Sequence, residues 1–155
     1  MQERLEKTML HSQQNVMRYR LATTADAAVL AKMNQRLIQD EHHRNSMTLE
    51  QLEERMRGWL GGEYQAMIFE DEAGIAGYGL YRQEPEHVYL RQFYVERNRR
   101  RQGIGRVAIA WLMEHAWKEV KRVRLEVLVE NRAGAAFWRA VGFGEYCVTM
   151  EREVV

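Results

Sequence analysis

Hydrophobic residues recur along this chain with two different spacings, which predict both strands and helices. Apolar residues at every second position are typical of half-buried strands, whereas a spacing of three to four is typical of helices. The first pattern predicts strands over 17–22, 64–70, 75–82, 88–95, 122–129 and 145–153. The second predicts helices over 29–38, 49–60, 104–115 and 133–141.

The order of these elements predicts a single α/β domain. One strand is followed by two helices and three strands, and then by helix, strand, helix and strand. We expect a mixed central sheet of about six to seven strands with helices on both faces. Thr48 and Gln51 form a predicted capping box at the start of the second helix. The domain covers residues 17–155 and follows a polar N-terminal extension, residues 1–16.

Composition and charge exclude several classes of protein. Of the 155 residues, 46% are hydrophobic and 29% are charged, as in ordinary globular proteins. The formal net charge of +1 provides no global field that would recruit nucleic acid or an anionic membrane. The chain has no apolar run of about 18 residues and no apolar core of a secretory signal near its start, so we expect a cytoplasmic protein. The one cysteine, Cys147, excludes an intrachain disulfide and is predicted to be a buried, inert thiol.

The strongest chemical signal is a basic, glycine-containing run ahead of an apolar helix, Arg99-Arg100-Arg101-Gln102-Gly103-Ile104-Gly105-Arg106. A helix start offers backbone N–H groups without intrahelical partners, together with the positive end of the helix dipole. Glycines allow a ligand to approach closely, and arginines add charge-assisted hydrogen bonds. These properties predict a pyrophosphate-binding loop.

A dinucleotide-binding site is a less favoured interpretation of the same loop. Residues 103–108 satisfy the pattern Gly-x-Gly-x-x-Ala. However, the motif follows the third or fourth predicted strand instead of the first. A long arginine-rich loop also replaces the tight turn that such a site requires.

Two motifs in sequence order resemble the GNAT superfamily of N-acetyltransferases. Residues 100–105 match its pattern Gln/Arg-x-x-Gly-x-Gly/Ala at a helix start, and Gln92-Phe93-Tyr94-Val95 matches the strand that leads into this loop. Residues 130–143 match its second motif, an Asn followed by a short helix with paired aromatics and a closing Gly-Phe. The resemblance covers residues 17–150 and includes the predicted order of elements.

The resemblance implies that an acetyl group is transferred from acetyl-CoA to an amine. Backbone N–H groups of residues 102–106 would bind the CoA pyrophosphate, and one strand and one short helix would enclose the pantetheine arm. The cofactor-binding residues that the resemblance implies are Phe93, Val95, Arg100, Arg101, Gln102, Gly103, Ile104, Gly105, Arg106, Asn131, Phe137 and Trp138.

The chain departs from this family at both of its usual catalytic positions. Many relatives carry a carboxylate on the strand before the loop, but residues 88–95 contain neither Asp nor Glu. Trp138 stands where relatives have a tyrosine acid, and an indole N–H cannot supply a proton near neutral pH. The catalytic residues therefore stay unassigned. The open alternatives are Tyr94, Tyr146, Glu84, Glu86 and His87.

The acceptor is predicted to contact the polar segment between the first two helices, Glu41-His42-His43-Arg44. Glu41 would attract a cationic amine, whereas Arg91 or Arg44 would favour a carboxylate or phosphate, so the charge of the acceptor stays open. The adjacent histidines lack a convincing third ligand, and no metal site is predicted. The predicted acceptor contacts are Glu41, His42, Tyr89 and Arg91.

Together these observations predict an acetyl-CoA-dependent N-acetyltransferase. It would act by direct attack in a ternary complex on a small-molecule amine or an amino-acid-like acceptor. The alternative is a non-catalytic CoA-binding or sensory module of the same fold, and a protein-acetylating enzyme is a third, weaker interpretation. No nucleic-acid or membrane partner is expected. A homodimer is compatible with Trp59, Trp111, Trp117 and the N-terminal extension.

Overall fold

A computed structural model describes residues 16–155 and places five strands in one mixed sheet. The strands are β1 (Arg18–Leu21), β2 (Tyr64–Asp71), β3 (Gly74–Gln83), β4 (His87–Val95) and β5 (Arg122–Arg124). Their order in the sheet follows the chain, with antiparallel pairing from β1 to β4 and parallel pairing of β4 with β5. The predicted extension lies outside the described residues, apart from Val16.

Four helices accompany the sheet: α1 (Ala27–Asp40), α2 (Leu49–Leu60), α3 (Ile104–His115) and α4 (Arg132–Ala140). The predicted capping box begins α2. Thr48 Oγ1 accepts the backbone N–H of Gln51 at 3.2 Å, and Gln51 Oε1 accepts the N–H of Thr48 at 2.8 Å. Across residues 16–155, no helix is long and apolar enough to cross a membrane.

The sheet separates two hydrophobic cores, one beneath α1 and α2 and the other beneath α3 and α4. Burial of each large apolar side chain contributes about 2 kcal/mol relative to exposure. The first core includes Leu30, Met56, Ile68, Tyr78 and Tyr94. The second includes Phe69, Leu90, Ile109, Leu112 and Trp117. The predicted α/β fold with helices on both faces is confirmed.

The expected count of six to seven strands is wrong, because the last predicted strand does not form in the described chain. Residues 145–153 alternate in polarity but pair with no strand, and Tyr146 and Met150 are 79% and 89% exposed. β5 is also shorter than predicted and ends at Arg124. Alternation alone makes no strand, since backbone N–H and C=O groups need a neighbouring ladder. Cys147 lies in this unpaired segment and is exposed, so the predicted buried thiol is also wrong.

Candidate functional site

Strand β4 has an open edge where β5 diverges from it. The two strands pair only over residues 87–89 of β4, and beyond them β3 is its only neighbour in the described sheet. The N–H of Glu96 donates to the carbonyl of Ala76 in β3 at 2.8 Å. Because hydrogen-bonding direction alternates along an antiparallel strand, Phe93 and Val95 direct their main-chain groups to the open side. An extended ligand can bind such an edge as an added strand would.

Aromatic side chains join the two sequence motifs beside this edge. The rings of Phe93 and Phe137 stack with centres 6.0 Å apart, and Trp138 meets Phe93 edge-on at 5.3 Å. Trp138 also meets Phe143 edge-on at 5.3 Å. Gly105 lies against this cluster, since a β-carbon there would approach Phe137 Cζ to 3.2 Å. The cluster therefore holds α4 against β4 and the start of α3.

The loop turns into α3 at Gly103, which has a left-handed backbone with φ of +74°. The N–H of Val107 donates to the Gly103 carbonyl at 3.0 Å, so the N–H groups of residues 104–106 precede the helical ladder. A β-carbon built on Gly103 would have no heavy atom of residues 16–155 within 4 Å. A depression of about 550 Å³ adjoins the turn, and residues 102–104 form part of its wall. This arrangement fits a bound anion such as a pyrophosphate.

Two arginines of this loop form ion pairs with carboxylates of the protein itself. Arg99 pairs with the buried carboxylate of Asp71, and its hydrogen bond holds the pKa of Asp71 below the usual value. Arg100 donates from Nη2 to Asp40 at 2.6 Å and from Nε to the Val95 carbonyl at 2.9 Å. Arg100 thus ties the loop to α1 and β4, a contact that its predicted role at the phosphates did not include.

Three further predicted cofactor ligands differ in what they contact. Arg101 and Arg106 are exposed and form no ion pair within residues 16–155, so their charges stay available to a ligand. Asn131 Oδ1 accepts the backbone N–H of Gly134 at 3.0 Å and caps α4. The cap uses only the amide oxygen, and the amide nitrogen still has hydrogens to donate.

Two of the predicted acceptor residues lie on the α1–α2 face of β4. Arg91 is a bulge residue, because the register with β3 skips it. Its Nη1 donates to Tyr64 Oη at 3.3 Å. Tyr89 Oη donates to Glu126 Oε1 at 3.3 Å, and burial, reinforced by Glu126, raises the pKa of Tyr89.

The other two predicted acceptor residues form a separate group in the turn after α1. Burial, reinforced by the neighbouring Asp40 carboxylate, raises the pKa of Glu41. His42 is exposed and has a left-handed backbone with φ of +52°. Arg44, the other sequence candidate for binding an anionic acceptor, pairs with Glu151 at 2.8 Å.

Some of the catalytic candidates form hydrogen bonds with neighbouring side chains. Tyr94 is buried and donates to Glu96 Oε2 at 3.2 Å, and its pKa is raised by burial and by Glu96. Glu84 accepts a hydrogen bond from an arginine of β3 at 2.5 Å. Tyr146 is exposed, Glu86 immediately precedes β4, and His87 is the first residue of that strand. These contacts assign no general acid or base.

Sequence reasoning missed the environment of Arg91. The guanidinium carbons of Arg91 and Arg55 lie 4.8 and 4.4 Å from the ring centre of Trp59. Tyr64 also contacts Trp59, with ring centres 5.4 Å apart. The four-residue spacing of Arg55 and Trp59 on α2 is the one sequence signal of this cluster, because it places them on one helix face.

No group of three or more His, Cys, Asp or Glu side chains that could hold a metal ion occurs among the described residues.

Comparison with known protein families places the chain in one of them. A statistical model of the Acetyltransferase (GNAT) family matches residues 30–143, more than half of the chain. No curated protein sequence matches this chain significantly.

Solved structures share the fold at low sequence identity. A possible acetyltransferase from Clostridium difficile is 19% identical with a TM-score of 0.77, over 91% of this chain and 99% of that one. A ribosomal-protein-alanine N-acetyltransferase from Brucella melitensis is 15% identical with a TM-score of 0.72, over 89% and 100%. An aminoglycoside N-acetyltransferase in complex with CoA is 15% identical with a TM-score of 0.72, over 89% and 95%. On the family match, the chain belongs to the GNAT family of acetyltransferases.

Proposed function

We propose that this chain transfers the acetyl group of acetyl-CoA to the primary amine of a small molecule or an amino-acid-like acceptor, by direct attack in a ternary complex. One observation carries the proposal: the open edge of β4 at Phe93 and Val95 leads into the start of α3, whose first N–H groups have no backbone partner among the described residues. The edge suits an extended pantetheine arm, and the helix start suits a pyrophosphate. Membership of the GNAT family supports the same cofactor.

The residues of this chain would bind and orient the reactants. The N–H groups of residues 104–106 and the charges of Arg101 and Arg106 would hold the phosphates. The main chain of Phe93 and the N–H of Val95 would hold the arm, because the Val95 carbonyl already accepts from Arg100. An N–H at this edge would polarise the thioester carbonyl. Acetyl-CoA supplies the activated acyl group.

Proton transfer is the part of the reaction for which the chain lacks the usual side chains. An alkyl amine has a pKa of about 10 and must lose a proton before it attacks. β4 carries no carboxylate between Val88 and Val95, and Trp138 offers no acidic proton. We infer that water accepts the amine proton, that the C–S bond breaks with CoA leaving as its thiolate, and that positioning of the two reactants supplies most of the acceleration.

The same two departures favour a second candidate, a CoA-binding or sensory module without turnover. It would keep the open β4 edge and the α3 helix start but transfer no acetyl group. The acceptors named for the structural neighbours, a ribosomal-protein alanine and an aminoglycoside, differ widely, so the shared fold does not select an acceptor.

Two measurements on the full chain separate these candidates. Calorimetric titration with CoA and acetyl-CoA tests the cofactor, and release of the CoA thiol with a panel of primary amines tests the transfer. Micromolar binding together with amine-dependent thiol release supports the enzyme. Binding without release for any amine supports the sensory module, and a folded sample that binds neither compound contradicts both.

A further inference from the structure

Basic and aromatic side chains lie side by side on the α1–α2 face of the sheet, next to the β4 bulge. The strand registers place Tyr64, Arg82 and Tyr89 in one row across β2, β3 and β4. The Arg82 guanidinium carbon lies 5.3 Å from the Tyr64 ring centre and 5.6 Å from that of Tyr89. Arg82 and Arg91 both donate to Tyr64 Oη at 3.3 Å.

Helix α2 completes this group from above the sheet. Arg55 and Arg91 both lie over the indole ring of Trp59. Contact with an aromatic face fixes the plane of a guanidinium group and leaves its N–H edge available to an anion. We call this group the arginine–aromatic cluster, and its members are Arg55, Trp59, Tyr64, Arg82, Tyr89 and Arg91.

The cluster holds more positive charge than the described protein neutralises. Arg82 pairs with Glu84, with 2.5 Å between Nε and Oε1. Arg55 donates from Nη2 to the amide oxygen of Asn34 at 3.0 Å, but its buried Nε has no hydrogen-bond partner in the part of the chain that the structure describes. Within residues 16–155, neither Arg55 nor Arg91 forms an ion pair with a carboxylate.

Two other acidic groups nearby interact with other members of the cluster. Glu126 accepts the hydrogen bond of Tyr89, and the negative charge of Glu63 helps to raise the pKa of Arg82. Burial and the nearby positive charge of Arg91 lower the pKa of Arg55. Two cations held close together without a counter-ion repel each other, and a bound anion removes that cost.

The position of the cluster relates it to the reaction. Arg91 lies at the bulge, near the start of the segment of β4 that no longer pairs with β5. Trp59, Tyr64 and Tyr89 pack on the core beneath α1 and α2, opposite the core that contains the Phe93–Phe137 stack. An acceptor that approaches the open edge from the α1–α2 side therefore passes the cluster.

We propose that the acceptor carries a carboxylate as well as its amine, and that Arg91 and Arg55 bind this carboxylate. The inference rests on the proposed acetyl transfer. A guanidinium group presents two parallel N–H donors that match the two oxygens of a carboxylate, which gives direction as well as charge. The acceptor class is thus an amino acid or a similar zwitterionic amine, and a polyamine is disfavoured.

Matched pairs of amines test this proposal on the full chain. Each common amino acid is compared with its carboxamide, and spermidine and phosphoethanolamine serve as amines without a carboxylate. We expect kcat/KM for at least one amino acid to exceed that of its carboxamide by about 10-fold to 100-fold. Arg91→Gln should abolish this preference by raising KM. Arg57→Gln is the control, because Arg57 is exposed on the same helix as Arg55 and pairs with Glu53.

Saturation-transfer NMR tests the carboxylate site without turnover. It measures the binding of the same amino acids to the CoA-saturated protein. If no acetyl transfer occurs, amino acid binding that Arg91→Gln abolishes still supports the site, and only the proposed reaction fails. Equal use of amino acids and carboxamides, a preference for spermidine, or no binding of any amino acid overturns the proposal. A preference for phosphoethanolamine would show that the site binds a phosphate and would overturn the proposed carboxylate-bearing acceptor.

Discussion

The ring of Phe137 lies against the α-carbon of Gly105, so that a β-carbon on Gly105 would come within 3.2 Å of Phe137 Cζ and 3.3 Å of Cε2. This contact joins the two sequence motifs, since Gly105 lies in the first turn of α3 and Phe137 belongs to α4. Gly105 has no positive φ, so the absence of a side chain there serves packing and not backbone conformation. Gly103 serves the opposite purpose, with a positive φ and open space around it.

The Gly105–Phe137 contact predicts a coupled effect on stability. In the wild-type chain, Gly105→Ala should lower the free energy of unfolding by about 1 kcal/mol, because the ring must move aside. In a Phe137→Leu background the two nearest ring atoms are gone, and the same change should be neutral or stabilising because Ala favours helix. Urea unfolding of the four variants gives the coupling. Equal effects in both backgrounds would contradict the packing role.

Gly103 allows a direct test of the pyrophosphate site. Asp and Asn have nearly the same shape and both tolerate a left-handed backbone, so Gly103→Asn is a matched control for Gly103→Asp. A carboxylate beside the α3 start should repel the phosphates and weaken CoA binding about 10-fold to 100-fold more than the amide does. Calorimetric titration of both variants with CoA measures the difference. Equal dissociation constants for the two variants would show that the CoA phosphates do not bind beside this turn.

Trp138→Tyr tests whether proton donation to the departing sulfur limits the proposed reaction. A tyrosine hydroxyl can supply the proton that an indole cannot. We expect kcat to rise by about tenfold or more, within the range of general acid catalysis. Trp138→Phe is the control, because it makes a similar change in size without an acid. A similar kcat for the two variants would show that a tyrosine here gives no acid assistance.

The half-buried carboxyl of Glu41 predicts a pH-dependent stability. Burial raises its pKa in the folded state above the unfolded value of about 4.3. The favourable contribution of the protonated form is therefore complete below that unfolded pKa and is lost as the pH rises through the folded pKa. Glu41→Gln stays neutral, so its thermal midpoint should exceed that of the wild type at pH 7, and the difference should shrink at pH 4. Glu54→Gln, exposed on α2, is the control. A pH-independent difference would contradict the assignment.

Several features of this protein were predictable from the sequence because they depend on residues only a few positions apart. Helical spacing located all four helices, and Thr48 with Gln51 located a helix start that the structure confirms. The glycine-containing run over 100–105 and the motif over 130–143 were sufficient to predict the family and the fold. Each of these signals is short-range, as are the backbone and side-chain interactions that produce it.

The tertiary structure decided which of these elements find partners. Residues 145–153 have the alternation of a strand but pair with no described strand, so the sheet within residues 16–155 has five strands. Arg99 and Arg100 meet Asp71 and Asp40, which lie 28 and 60 positions away in the chain.

The cluster around Arg91 also depends on contacts between residues that are distant in the sequence. Arg55 from α2 and Tyr64 from β2 reach Arg91 only through chain folding, and no local pattern marks that meeting. The sequence by itself therefore determined the local elements, the family and the glycine-containing helix start that we propose binds the pyrophosphate. The tertiary structure decided the strand count, the engaged arginines and the cationic surface beside β4, because ladder bonds and ion pairs join groups that are distant in sequence.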